Sequence, residues 1–145
     1  MKKKEPLIFI VEDDAFVNLM ISSHLSDLGY SKVEVFGSGE EALANRYKMP
    51  SIVVCDYHLS GDLDGSEVLK EIKAFNPDIH VIMLSGQEKM DVAVNSLKYG
   101  AYDYVVKGDG AIEKVGKLVQ KADAFNSALK SNRWKRVFSA FMFNF

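Results

Sequence analysis

Short, largely apolar runs constrain this chain more than any other feature. They occupy residues 7–11 (Leu-Ile-Phe-Ile-Val), 52–55 (Ile-Val-Val-Cys), 79–84 (broken only by His80) and 102–106 (Tyr-Asp-Tyr-Val-Val). Runs of this length that do not alternate belong to strands buried on both faces of a sheet. A further run, Val33-Glu34-Val35-Phe36, does alternate, and so suits an edge strand with one wet face. Between the runs lie helical patterns. Val17, Ile21, Leu25 and Leu28 share one face, and Gly29 stands where a C-cap belongs. Ser38 and Glu41 have the spacing of a capping box. Val68, Leu69, Ile72 and Phe75 form a third stripe that stops before Pro77. Met90, Ala93, Val94 and Leu97 form a fourth, ended by Gly100. Ile112, Val115, Val119, Ala122 and Leu129 mark a long last helix.

Strand and helix thus alternate along the chain. Parallel strands need long right-handed crossovers, so this order predicts an α/β fold. The expectation is a flavodoxin-like (βα)5 doubly wound parallel sheet, strand order 2-1-3-4-5, with a C-terminal helical extension. In that topology ligands bind beyond the carboxyl ends of the strands. The 145 residues suffice for one domain, and the net charge of -2 disfavours bulk nucleic-acid binding. The single cysteine, Cys55, lies inside an apolar run and reads as a core residue. Lys2, Lys3 and Lys4 precede an apolar run too short for a signal peptide, and no stretch is long enough to span a bilayer. A cytoplasmic location is expected.

The residues that follow each strand carry the chemistry. They are Glu12-Asp13-Asp14, Asp56, Ser85-Gly86 and Lys107. In a parallel sheet all of them lie on one rim, and the carboxylates on adjacent strands stand about 4.8 Å apart. Crowded carboxylates call for a cation, and oxygen-only ligands suit Mg²⁺. A hard metal, a lysine, a hydroxyl and an attacking carboxylate are the parts needed for phosphoryl transfer. Each group alone has an ordinary structural reading. Asp13 or Asp14 could cap the first helix, and Asp56 could begin an Asx-turn. Ser85 could be a turn residue and Lys107 a surface charge. Complementary chemistry at separate strand ends outweighs those readings.

Over about residues 6–128 the sequence resembles the receiver domains of two-component signalling. The matching motifs are Ile10-Val11-Glu12-Asp13-Asp14, Val53-Val54-Cys55-Asp56, Met83-Leu84-Ser85-Gly86 and Tyr104-Val105-Val106-Lys107. The resemblance implies that Asp56 is the phosphoacceptor of a phosphorelay. It implies that Glu12, Asp13, Asp56 and the backbone carbonyl of His58 hold Mg²⁺. It makes Ser85 and Tyr104 the switch pair, and sets Lys107 against the phosphoryl group. The implied partner is a sensor histidine kinase or phosphotransfer protein, which supplies the donor histidine. Such a domain catalyses only its own phosphorylation and dephosphorylation. The alternative is a Mg²⁺-dependent phosphohydrolase with an aspartyl nucleophile, but its second acid would fall where this chain has His58. A flavin site would need a phosphate cradle where Glu12-Asp13-Asp14 would repel phosphate. A degenerate, binding-only receiver conflicts with the intact Asp56, Ser85 and Lys107. His24, His58 and His80 lack zinc-ligand spacing.

The sequence departs from the family pattern beside the site. Ser60 replaces a usual proline, the stretch Ser60-Gly61-Asp62-Leu63-Asp64-Gly65 is one residue longer than the common form, and Gly108 follows Lys107 in place of proline. The Lys107–Gly108 bond is expected trans, since cis costs a non-proline peptide about 2.5–4 kcal/mol. Residues 1–129 read as the receiver and 130–145 as an amphipathic tail. In the tail Trp134, Val137, Phe138, Phe141, Met142 and Phe145 recur at helical spacing among Lys130, Arg133, Lys135 and Arg136. The leading expectation is a helix 5 extension that folds back or pairs in a homodimer, with the helix 4/strand 5/helix 5 face contributing. A membrane-surface anchor or a link to a further domain ranks below it.

Overall fold

The computed structural model describes residues 4–86 and 90–143. Five parallel strands form one sheet in the order β2-β1-β3-β4-β5, as the alternation predicts. They are β1 (Ile8–Val11), β2 (Val33–Phe36), β3 (Ile52–Asp56), β4 (His80–Ser85) and β5 (Asp103–Val106). The helices are α1 (Ala15–Asp27), α2 (Gly39–Ala44), α3 (Gly65–Phe75), α4 (Met90–Lys98) and α5 (Ala111–Phe143), with a 3₁₀ turn at Arg46–Lys48.

Successive strand residues point to opposite faces, and this period splits the core in two. Ile8, Ile10, Ile52, Val54, Ile82, Leu84 and Val105 pack against Ile21 and Leu25 of α1 and Val115, Val119 and Ala122 of α5. Phe9, Val11, Val53, Cys55, Val81 and Met83 pack against Ala42 and Leu43 of α2 and Val68, Leu69 and Ile72 of α3. Each buried side chain of this size contributes roughly 1.5–3 kcal/mol. β2 lies at one edge and β5 at the other, but burial on β2 does not follow its alternation: Val33 and Glu34 are half-buried, Val35 is exposed and Phe36 is buried. Cys55 is fully buried, and burial pushes its thiol pKa up.

Several expectations need correction. The stripe on α4 does not face the sheet: Met90, Val94 and Leu97 are exposed, while Ser96 is buried and Val92 and Ala93 pack against the core. A small-residue face seats this helix and leaves the larger side chains in water. Phe75 is half exposed under the Arg46 guanidinium, 5.6 Å from the ring centroid, and Leu129 is half exposed. Ser38 does cap α2 by accepting the Glu41 N–H at 3.2 Å, but the Glu41 carboxylate accepts from the Gly37 amide at 3.4 Å. The tail does not fold back, because α5 runs through residue 129 as one helix to Phe143. Among the described residues no peptide bond is cis, and Gly108 takes φ 143°. Proline is locked near φ -65°, so glycine here permits a different exit from β5.

Gly65 opens α3 where the helix meets the end of β3. A Cβ on Gly65 would lie 2.1 Å from the Asp56 carbonyl oxygen and 2.6 Å from Tyr57 Cα. These are backbone atoms, so α3 itself would have to move. Gly65→Ala is therefore expected to destabilise the fold by about 1–3 kcal/mol, measured by urea denaturation; an unchanged midpoint would contradict this packing.

Candidate functional site

The sheet register builds the site. Val11 lies beside Cys55, so Glu12 and Asp56, each one residue further on, stand next to each other. Asp56 in turn pairs with Leu84, and Ser85 with Val106, which brings Ser85 and Lys107 to the same rim. Glu12, Asp56 and Ser85 are buried, whereas Asp13 is exposed. Glu12, Asp13 and Asp56 each offer a carboxylate oxygen within 4.8 Å of the others. Lys107 Nζ stands 3.2 Å from Glu12 Oε2 and donates to Asp56 Oδ2 at 3.2 Å.

Local bonds divide the labour among the acids. Asp14 is the N-cap of α1, accepting from the Phe16 amide at 2.9 Å and the Val17 amide at 3.3 Å. That frees Asp13, whose Oδ2 accepts only a loop N–H, from Ser60 at 3.2 Å, among the bonds described for it. Asp56 Oδ1 accepts from the His58 amide at 3.3 Å, as an Asx-turn would have it, while Oδ2 faces Lys107 at 3.2 Å. His58 follows Asp56 on the exposed loop, with its ring edge-on to Tyr57 at 5.1 Å. Tyr104 is buried in the core on the α3 side of the sheet, on the strand next to Ser85. Sequence reasoning missed Asn18, which donates to the Glu12 carbonyl at 2.7 Å and holds the start of the acid turn. A polar residue on an amphipathic helix gave no signal of that contact. It also missed Gly65, whose only signal was its place after Asp64 at a helix start.

The electrostatics follow from burial. Desolvation first, then the Asp56 charge, raises Glu12 from its usual 4.5 to about 7, even with Lys107 adjacent. Burial pulls Lys107 down, but Asp56 and Glu12 outweigh it and hold the ammonium above its ordinary value. The cluster therefore has more negative charge than one lysine neutralises. Oxygen donors only, tightly grouped and partly solvated, fit a hard divalent ion such as Mg²⁺. Glu12, Asp13 and Asp56 would hold it, and it would supply charge neutralisation at the rim.

The fold and this rim define a receiver-type α/β domain. A family profile for the response regulator receiver domain matches residues 8–120, and the chain belongs to that family. It is similar to the transcriptional regulatory protein ZraR of Klebsiella oxytoca, 39% identical over 101 residues, covering 69% of this chain and 22% of ZraR. It is similar to the regulatory protein LuxO of Vibrio vulnificus (strain YJ016), 30% identical over 129 residues, covering 81% of this chain and 28% of LuxO. The chain thus spans under a third of the length of these curated relatives. Among solved structures, the receiver domain of NtrX from Brucella abortus superposes with a TM-score of 0.74 at 29% identity, covering 81% of this chain and 98% of that one.

A carboxyl whose folded pKa is raised stabilises the fold while protonated, and that contribution fades as pH rises. For Glu12 it is complete below about 4.5, its unfolded value, and is lost as pH climbs through about 7. The metal-free protein should therefore lose stability between pH 5 and 8, and Glu12→Gln should flatten that slope. Thermal melts in EDTA across this range would show it; equal slopes in both proteins would refute the assignment.

Proposed function

We propose that this chain is a phosphoacceptor receiver of a phosphorelay, switched by Mg²⁺-dependent phosphorylation of Asp56. The observation that carries the reading is Asp56 itself: buried, beside Glu12, with Asp13 in reach and Lys107 at 3.2 Å. An Asp56 carboxylate oxygen attacks the phosphorus of a phosphohistidine on a sensor kinase or phosphotransfer protein. The P–N bond breaks, its electrons return to the imidazole, and an acyl phosphate forms on Asp56. Lys107 neutralises a phosphoryl oxygen, and the Ser85 hydroxyl hydrogen-bonds another. With Ser85 drawn inward, Tyr104 follows it, and the α4–β5–α5 face, where Met90, Val94 and Leu97 are exposed, changes its partners. His58 adds its backbone carbonyl to the metal site. The domain acts on no free substrate, and His58 at the position of a second acid argues against a phosphohydrolase. We assign it to the cytoplasm, with no nucleic-acid partner and no membrane contact; among the described residues no helix is long and apolar enough to cross a membrane.

The partner of the tail is a second copy. Val137, Phe138, Phe141 and Met142 lie on adjacent turns of α5, each more than half exposed. The Trp134 side chain and Phe145 lie outside the described residues. α5 runs on as one helix past Ala122, its last residue in the core, and leaves this face exposed. Apolar area of this kind favours a two-fold pair.

Intact mass after treatment with a small phosphodonor and Mg²⁺ should show one phosphoryl adduct, absent in Asp56→Asn. Asp13→Ala should remove the thermal stabilisation that millimolar Mg²⁺ confers on the native protein. Ser85→Ala should accept the phosphoryl group without the change in amide exchange on α4, β5 and α5. No adduct on the native protein would sink the reading.

Light scattering over a concentration series should find the full chain dimeric and a chain ending at residue 130 monomeric. The last core residue on α5 is Ala122, so the shortened domain keeps its packing. A full-length chain that is monomeric throughout would remove the dimer.

A further inference from the structure

The β3–α3 loop, residues 57–64, borders the acid cluster and departs from the family pattern in length and in lacking proline. Tyr57, Leu59 and Leu63 pack from this loop against the core. Its ends are also tied by charge. At the site end, the His58 amide donates to Asp56 Oδ1 at 3.3 Å and the Ser60 amide to Asp13 Oδ2 at 3.2 Å. At the far end, the Leu63 amide donates to Glu40 Oε1 at 2.7 Å. Between them Gly61 lies so close that a Cβ would meet Glu40 Oε2 at 2.6 Å. Amides of Glu40 itself and of Leu63, opposed by slight desolvation, hold the Glu40 carboxyl below its ordinary range, so it is an ionised acceptor at neutral pH.

Glu40 has a support besides the loop. It sits in the first turn of α2, next to Gly39, where a Cβ would meet Val68 Cγ2 of α3 at 2.4 Å. That contact fixes α2 against α3 through the core. Glu40 is thus a firm post outside the acid cluster, gripping a loop whose other end touches two of the carboxylates.

We propose that Glu40 is a positioning residue for the metal site: its grip on Leu63 and Gly61 sets the path of residues 58–60 past Asp13 and Asp56, and so sets the affinity for the divalent cation. The inference rests on the phosphoacceptor reading above only through the Mg²⁺ site. Glu40 touches no reacting group. Without its grip, the Ser60 end of the loop would sample other paths over Asp13, and cation binding would have to order it.

The test uses the full chain with MgCl₂ alone as the probe. In Glu40→Ala the Mg²⁺ dissociation constant, read from amide chemical shifts of Asp13 and Ser60, should rise roughly tenfold, the scale on which outer supports of metal ligands act. The Mg²⁺ concentration for half-maximal phosphorylation by a small phosphodonor should rise in step, with the rate at saturating Mg²⁺ near that of the native protein. Glu40→Gln keeps one carbonyl acceptor and should fall between the two. It also serves as the folded variant should the alanine chain not fold. Exchange of the Leu63 amide should quicken in both. A lower melting temperature in EDTA with superimposable Mg²⁺ titrations would make Glu40 a stabilising residue only and overturn the proposal. Failure of the native protein to bind Mg²⁺ would instead overturn the phosphoacceptor reading beneath it.

Discussion

Two carboxylates held side by side by a β-ladder are the constraint on which this rim depends. The hydrogen bonds of β1 and β3 set Glu12 against Asp56, and the core behind them keeps water from separating their charges. Like charges in a poorly solvated place resist ionising together, and Glu12 records this in its raised pKa. Lys107 reaches them from β5, two strands beyond β3, and relieves the repulsion only in part. The repulsion that remains is what a divalent cation at this rim would relieve.

Around that pair the chain is built from parts with fewer buried contacts. Asp14 spends its carboxylate on the α1 cap, which leaves Asp13 exposed and adaptable. The β3–α3 loop lies over Asp13 and is anchored by ionised groups at both ends rather than by buried apolar side chains alone. Gly65 lets α3 begin hard against the Asp56 backbone, which fixes the main chain of that residue. A carboxylate fixed by its backbone beneath a loop tied to its neighbours fits the phosphoacceptor role proposed for Asp56.

Surfaces away from the rim follow from how each helix is seated. α4 meets the sheet through small side chains and so turns Met90, Val94 and Leu97 outward on the side of the molecule that also carries β5 and the start of α5. α5 carries its core face only as far as Ala122 and then continues for a further span with apolar side chains in water. Both faces hold apolar area that the domain's own fold leaves without cover.

The sequence by itself determined the layer architecture. Apolar runs alternating with helical patterns suffice for a parallel sheet, and the unbroken runs of β1 and β3 mark its centre, because burial on two faces demands apolar residues at every position. It also determined which residues meet at the rim, since parallel strands bring all their carboxyl ends together, and Glu12, Asp13, Asp56, Ser85 and Lys107 each stand at or just past a strand's end. It could not say which acid would cap α1, because Asp13 and Asp14 are equivalent until the helix start is fixed in space. Periodicity marked a stripe on α4 without its direction, for a stripe fits a core and a partner equally well. The contacts of Glu40 with the loop, Asn18 with the Glu12 carbonyl and Gly65 with Asp56 join residues far from obvious in the sequence pattern. Only tertiary structure decides these, because they are set by the distances at which helices settle on the sheet, and those depend on the packing of the whole core.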